Sequence, residues 1–273
     1  MYRLGVAKSE GEEWADWRRS VFGEPYLVWH DGADFGELLR RARSSDIEAR
    51  RVHAMLALGL DEADPLAANS IAVLAEGGAV PTDAEALLSD ALVAAEATPN
   101  RFLTALARAL RAVTGDETWT TPLILRVLAE APDWSSRIDA ALGLRHVDPT
   151  PEVLDALTRA LTDPEYLVRY HAAETMLRHA YRTDVEISGR RALFAKLRNS
   201  EQDGPADWQD MAQTLAAECI PRIERERQRG ATMADAVDRF DRVGWVERVE
   251  RVERIEPVEL VESAGSVESV EPE

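Results

Sequence analysis

Residues 150–177, TPEVLDALTRALTDPEYLVRYHAAETML, contain two helix starts, and a segment with helical periodicity follows each of them. Thr150 stands before Pro151, and Asp163 stands before Pro164. A Thr or Asp side chain caps the free backbone N–H groups at a helix start. Proline fits the first turn, where its missing N–H is not needed. The stretch therefore predicts two consecutive helices joined by a short turn, which is a helical hairpin.

Each predicted helix carries one apolar face, because its apolar residues recur at helical spacing. In the first helix the face is Val153, Leu154, Leu157 and Leu161. In the second it is the row Val168, Ala172, Met176 and Ala180, with Ala173 and Leu177 beside it. A hairpin of this kind buries its apolar face by stacking on a neighbouring hairpin.

A second copy of the pattern begins at Thr121, in TPLILRVLAEAPDWSSRIDAALGL. Its first helix matches at an offset of 29 residues and its second at 32. The matched positions are Ile124, Leu125 and Leu128 in the first helix, and Arg137, Ala140 and Ala141 in the second. A third copy lies around Arg50, where Arg50, Ala54 and Leu58 echo Arg169, Ala173 and Leu177. An internal repeat of this length is typical of a solenoid.

The motif of Asp163-Pro164, Val168-Arg169, Ala172-Ala173 and Leu177 resembles the HEAT repeat family, particularly its short bacterial form, the PBS-lyase HEAT-like repeat. The resemblance covers residues 34–200. It implies an all-α, right-handed α-α superhelix of antiparallel helical hairpins with a concave binding surface. It also implies that Arg169 reaches the loop or an acidic side chain of an adjacent repeat. Other α-solenoid families are an open alternative.

Further helix starts divide the rest of the chain, at Asp64-Pro65, Thr98-Pro99 and Thr121-Pro122, with capping boxes at Ser45 and Thr82. The predicted helices are 10–20, 34–43, 46–59, 65–76, 82–96, 99–113, 122–131, 134–146, 151–162, 164–181, 186–199, 205–228 and 232–243. Residues 25–29 are the one strand candidate, with a capping loop as the alternative.

Four segments follow from this pattern. An N-terminal cap segment occupies 1–33, the HEAT-like repeats 34–200, and a C-terminal helical cap 201–244. Residues 245–273 form an acidic, low-complexity tail of repeated Val-Glu pairs, which we expect to be mostly disordered.

The composition is acidic, with 32 Lys and Arg against 50 Asp and Glu and a formal net charge of −18. Such a charge disfavours nucleic acids and anionic membranes. It favours a basic protein partner, or it serves only solubility. A single cysteine, Cys219, excludes a disulfide within one chain and favours a reducing compartment. Without a signal peptide pattern or a run of 18 apolar residues, we expect no membrane segment and a cytoplasmic location.

Patterns that indicate catalysis are missing. The sequence has no GxSxG, P-loop, GxGxxG or HExxH motif. His171 and Glu174 share a helix face with His179 two turns on, but these do not make a metal site. Cys219 lies on a row with Trp208, Met211 and Leu215, so we expect a buried thiol. We therefore expect no enzyme, no cofactor and no metal.

Aromatic residues mark two places in the chain. Trp14, Trp17, Tyr26 and Trp29 crowd the N-terminus, where they either seal the end of the solenoid or bind a partner. A second cluster lies on the second predicted helix of the hairpin that begins at Thr150, and it consists of Tyr166, Tyr170, His171 and Tyr181. Trp and Tyr are common interface anchors, as is Arg. The predicted partner-binding residues are Tyr166, Arg169, Tyr170, His171, Arg137 and Trp134.

The sequence thus predicts a non-catalytic scaffold or adaptor that holds a partner protein on the concave face of its repeats. One alternative is an inhibitor or immunity-type protein that neutralises a basic partner. The family resemblance adds another, because some HEAT-like proteins attach bilin chromophores and related solenoids excise damaged DNA bases.

Overall fold

A computed structural model of the chain describes residues 13–25, 28, 32–95, 98–182, 186–198 and 206–229, and these residues contain no strand. The chain divides into two compact units, 1–223 and 224–273. In the second unit the described residues, 224–229, are helical. The predicted helix 232–243 and the tail 245–273 lie outside the described residues.

The described helices of the first unit follow one another with short connections. They are α1 (Trp14–Phe22), α2 (Gly36–Ser44), α3 (Asp46–Asp61), α4 (Pro65–Glu76), α5 (Ala84–Ala95), α6 (Arg101–Thr114), α7 (Thr120–Glu130), α8 (Trp134–Gly143), α9 (Pro151–Ala160), α10 (Tyr166–Tyr181), α11 (Arg191–Arg198) and α12, which is helical over the described residues 206–223. Short 3-10 helices occur at Leu144–His146 and Ile187–Gly189. None of the described helices has the length and apolar character that a membrane crossing requires.

Capping side chains start several helices where the sequence predicts. The Ser45 hydroxyl accepts from the Glu48 N–H at 3.2 Å, the Asp64 carboxylate from Leu66 at 2.9 Å, and the Thr150 hydroxyl from Val153 at 3.4 Å. Several predicted starts were wrong by about one turn or less, among them the one at Thr121-Pro122, because α7 begins at Thr120 without a side-chain cap. Asn100 caps α6 in place of Thr98, and α10 begins at Tyr166, two residues after Pro164. The predicted strand candidate is instead helical where it is described, because the Val28 N–H donates to the Glu24 carbonyl.

The helices pair into hairpins that stack in two rows. The hairpins are α3–α4, α5–α6, α7–α8 and α9–α10. Their second helices pack in sequence, α4 on α6, α6 on α8, and α8 on α10. Among the first helices, α3 packs on α5 and α7 on α9. This is an all-α, HEAT-like solenoid, as the sequence predicts. One prediction was wrong. The repeat pattern matched the helix around Arg50 to the second helix α10, but this helix, α3, lies in the row of first helices.

Small side chains bring the second helices together. Ala140 and Ala141 of α8 and Ala172 and Ala173 of α10 are all fully buried, and the Thr175 hydroxyl of α10 donates to the Ala141 carbonyl of α8 at 2.9 Å, so the two helices approach closely. The middle of the stack is α6, whose side chains enter both hydrophobic cores. Leu103 and Ala107 of α6 belong to the C-terminal core, whereas its other buried apolar residues, Phe102, Ala105, Leu106, Ala109 and Leu110, belong to the N-terminal one. The stack therefore has a continuous interior that passes through α6.

Arginines tie each hairpin to the next at the start of the second helices. Arg137 donates to the Ala131 carbonyl of its own hairpin turn at 2.9 Å, and to the Asp163 carboxylate of the next turn at 2.8 and 3.1 Å. Arg169 repeats this arrangement. It donates to the Asp163 and Pro164 carbonyls of its own turn at 2.7 and 2.9 Å, and to the Leu197 carbonyl at 3.1 and 2.8 Å. The expectation that Arg169 reaches beyond its own repeat is thus met through a backbone carbonyl.

Two tryptophans close the N-terminal end of the stack. Trp14 and Trp17 of α1 are 2% and 1% exposed, so they seal the apolar end rather than present themselves to a partner. The Trp14 indole donates to the Asp64 carboxylate at 2.8 Å and lies against Gly59 of α3. Tyr26 and Trp29, predicted for the same cluster, lie outside the described residues.

We predict that Arg169→Lys destabilises the protein by about 2–3 kcal/mol. A single ammonium cannot reach both the Asp163/Pro164 pair and Leu197, so buried carbonyls lose their charged donor. The guanidinium plane over the Trp208 ring, at 3.9 Å, is lost as well. Urea denaturation measures the change. The control is Arg126→Lys, which keeps an exposed pair with Glu130 and should stay within about 0.5 kcal/mol of wild type. Equal stabilities of the two variants would contradict the bridging role.

We predict that Gly59→Ala destabilises the protein by about 1–2 kcal/mol, although alanine is the better helix former. The added Cβ would lie 2.7 Å from the Ala67 Cβ and 2.7 Å from the Trp14 ring, so the sealed end must shift. Gly189→Ala is the matched control, since nothing lies within 4 Å of its Cβ position. Thermal unfolding of both variants measures the difference, and a Gly59→Ala protein as stable as wild type would refute the close approach.

Candidate functional site

The two rows of helices differ in charge. The four second helices, with the 3-10 helix that continues α8, carry more arginine than acid, whereas the four first helices carry more acid than base. In the second row the bases are Arg101, Arg108, Arg111, Arg137, Arg145, Arg169 and Arg178, and the acids Glu76, Asp139 and Glu174. In the first row the bases are Arg50, Arg51, Arg126 and Arg159, and the acids Asp46, Glu48, Asp61, Glu85, Asp90, Glu130, Glu152 and Asp155. The chain is acidic, but its second-helix face is not.

Apolar and aromatic side chains lie where α8 and α10 begin. Trp134 and Leu167 are 41% and 36% exposed, among the most exposed large apolar residues of the described chain. Tyr166 is half-buried, and its ring centroid lies 6.1 Å from that of Tyr170 one turn later. We call these four residues, Trp134, Tyr166, Leu167 and Tyr170, the aromatic edge. Because Trp134 and Tyr166 begin α8 and α10, which pack side by side, this edge is a candidate contact surface.

A polar network lies next to the aromatic edge, on the middle of α10. Glu174 accepts from Arg145 at 2.9 Å, and Arg145 also donates to the Thr175 hydroxyl at 3.1 Å. A hydrogen bond with Glu174, aided by burial, raises the pKa of Tyr170 to about 12. The phenol therefore stays protonated and acts as a donor. Desolvation and the Arg145 charge lower the pKa of His171, so its ring is neutral near pH 7.

Arginines gather near the other end of the second helices. Arg108 and Arg111 lie in the second half of α6, Arg145 follows α8, and Arg178 lies near the end of α10. We call these four residues the arginine edge. Desolvation and then the positive charges of Arg108, Arg111, Arg178 and Arg145 lower the pKa of the exposed His146 to about 4. The local potential at His146 is thus positive on an acidic protein.

The six residues predicted to bind a partner divide into two groups. Trp134, Tyr166, Tyr170 and His171 are exposed or half-buried on the second-helix face, and Tyr170 contacts His171 edge to face at 5.2 Å. Arg169 is 1% exposed and bridges hairpins inside the protein, so it does not present a surface for contact. Arg137, of which 14% of the side chain is exposed, is bound in the equivalent bridge.

The arginine edge was not predicted from the sequence, although the sequence spacing of three of its four arginines indicates it. Arg111, Arg145 and Arg178 follow one another at 34 and 33 residues, close to the repeat length. Arg145 also pairs with the distant Glu174 at 2.9 Å, and Arg111 pairs with Glu117, six residues further along the chain, at 2.6 Å. A search of the sequence for charges at the repeat spacing would have found these three.

The structure adds no catalytic constellation to the described residues. Cys219 is fully buried on the row with Trp208, Met211 and Leu215, as the sequence predicts, and burial raises the pKa of its thiol to about 12. The thiolate that a nucleophile needs is therefore disfavoured. Within the described residues, no group of three His, Cys, Asp or Glu side chains could hold a metal ion.

Comparison with known proteins agrees with the stacked hairpins. A family model described as HEAT repeats matches residues 121–187, the part of the chain that contains α8, α9 and α10. No curated protein matches the chain, and no solved structure does. The match covers residues 121–187 of the 273, where the chain is similar to HEAT repeats and its helices are paired and stacked.

Proposed function

We propose that the protein is a non-catalytic scaffold that holds a partner protein along its second-helix face, within the repeats of residues 34–200. HEAT repeats generally serve as protein-interaction scaffolds, and stacked repeats provide extended surfaces for this purpose. The aromatic edge is the observation that carries the proposal. Trp134 and Leu167 are exposed near the half-buried Tyr166 and Tyr170, whereas Trp14, Trp17 and Trp208 are buried. Trp119, before first helix α7, is also exposed, but no tyrosine of α7 accompanies it.

The aromatic edge has the properties of an interface anchor. Its large side chains stand on rigid helices, so a partner that covers them loses little conformational freedom of the protein. The neighbouring Tyr170 hydroxyl and Glu174 carboxylate provide fixed polar groups beside the apolar ones. A specific protein interface usually has an apolar core and a polar rim.

An alternative scaffold would use the acidic first-helix face to neutralise a basic partner, as an inhibitor or immunity-type protein does. The excess of acid over base on the first helices favours it. The two proposals place the partner on opposite rows, so variants of each row separate them. An activity of the bilin-lyase or DNA-glycosylase kind has less support, because the described residues show neither an activated nucleophile nor a metal site.

We predict that the double variant Trp134→Ser with Leu167→Ser loses the partner. Truncation of anchor residues at an interface centre typically costs about 2 kcal/mol or more, which is about 30-fold in affinity. Affinity capture from native lysate, read by quantitative mass spectrometry, measures the loss. The matched control is Ile47→Ser with Val93→Ser, which removes side chains of 71% and 80% exposure from first helices α3 and α5.

Two results of the capture experiment would contradict the proposed function. A partner that the control variant loses and the second-row variant keeps would place binding on the first-helix face, as the inhibitor alternative requires. A folded wild-type protein that captures no protein at all would refute the scaffold proposal.

A further inference from the structure

Arg108 occupies the centre of the second-helix face. Its Nη1 donates to the Asn69 side-chain carbonyl of α4 at 3.1 Å. On the other side its Cδ lies 3.7 Å from the position that a Cβ of Gly143, in α8, would take. The side chain of Arg108 therefore lies between α4 and α8, the second helices on either side of its own helix α6.

The guanidinium of Arg108 is recessed and lacks a direct acidic partner among the described residues. Its hydrogen-bond partner is a neutral amide oxygen, and no carboxylate of the described chain lies within salt-bridge distance of it. Desolvation accordingly lowers its pKa, and the more distant charges of Glu76 and Asp139 offset this only in part. A buried or recessed cation without a counter-ion is costly, so its presence needs an explanation.

The other members of the arginine edge are placed differently. Arg111 pairs with Glu117, which also accepts from the Asp148 N–H at 3.0 Å, and Arg145 pairs with Glu174. These pairs hold the seams between hairpins and cancel most of their own charge. Arg108 is then the member of the edge whose guanidinium is available to an anion from outside.

We propose that Arg108 is the centre of a carboxylate-binding site, and that its ligand is an Asp or Glu side chain of an acidic segment in the partner protein. This inference rests on the proposed function, because it names the partner chemistry for the same second-helix face. A guanidinium matches a carboxylate through two parallel hydrogen bonds, and a recessed position excludes water from them. The excess of arginine over acid on the second helices adds positive potential that steers an acidic segment to the site.

A nucleic acid fits this arrangement less well than an acidic peptide. Binding to a phosphate backbone needs several unneutralised cations in a row. Here Glu117 and Glu174 already neutralise Arg111 and Arg145, so a continuous run of free cations is missing from the arginine edge. A single carboxylate at Arg108 avoids these acids, so an acidic protein segment is favoured.

The test uses the full chain and a fluorescein-labelled decapeptide whose two Glu residues are spaced by Gly and Ser, with binding measured by fluorescence anisotropy at about 0.15 M salt, where the Debye length is about 8 Å. Arg108→Gln should weaken binding about ten-fold or more, because it removes the charged donor pair. Arg126→Gln, an arginine of first helix α7, should change it less than about two-fold, since exposed charges far from the ligand are screened. A neutral Gly-Ser decapeptide, inorganic phosphate and a single-stranded DNA decamer serve as competing probes.

A second variant keeps the test decisive if Arg108→Gln folds poorly. Asn69→Asp has the same shape but places a carboxylate 3.1 Å from Arg108, where it occupies the guanidinium. We expect this variant to lose peptide affinity about ten-fold while its unfolding midpoint stays the same or rises. A variant that keeps wild-type affinity for the peptide would overturn the proposal.

His146 provides a readout inside the site. Its pKa of about 4 reflects desolvation and the four neighbouring arginines, so a bound carboxylate should raise that pKa. An NMR titration with and without the peptide should show this shift, whereas the pKa of His53, on first helix α3, should stay the same. Equal shifts at both histidines, or none at His146, would count against a site at the arginine edge.

The remaining outcomes separate this inference from the proposed function. If DNA binds with the same dependence on Arg108 and the acidic peptide does not, the ligand assigned here is wrong. If the peptide does not bind, yet the captured partner still depends on Trp134 and Leu167, the scaffold proposal survives and the carboxylate site fails. If partner binding depends on neither edge, both proposals fail.

Discussion

Close packing between successive second helices is the contact on which the rest of the structure depends. A hairpin alone would expose one apolar face, and it buries that face because Ala140, Ala141, Ala172 and Ala173 let the next helix approach. The arginine bridges at Arg137 and Arg169 hold the same seam at its edge. Since second helices repeat in one direction, their beginnings lie side by side, and so do their ends. This alignment gathers side chains from separate repeats into the aromatic edge and the arginine edge.

The alignment also explains why the charges separate between the rows. Cations are favoured near the C-terminal ends of helices, where carbonyl groups remain unpaired. Arg111, Arg145 and Arg178 stand near such ends, and their positive charges lower the pKa of His146. Two of these arginines are balanced by Glu117 and Glu174, which also link neighbouring segments. A net charge of −18 therefore describes the whole chain but not the face on which the repeats align their second helices.

The hairpins were predictable from the sequence because local rules decide them: Ser45, Asp64 and Thr150 cap helices through their own side chains. Arg169 was partly predictable, since the repeat pattern implies a bridge, but its burial depends on Leu197 and Trp208, which lie far along the chain. The Arg50 copy was misassigned because a single hydrophobic period cannot tell the first helix of a hairpin from the second. The recessed position of Arg108 depends on Asn69 and Gly143 of two other repeats, and no local pattern reports that.

Hydrogen–deuterium exchange of the protein with its captured partner tests most directly whether the second-helix face is the binding surface. Binding to this face should slow exchange in α6, α8 and α10 and leave α3, α5 and α9 unchanged, because the two groups belong to opposite rows. Protection confined to the first helices, or absent from every described helix of the stack, would contradict the account.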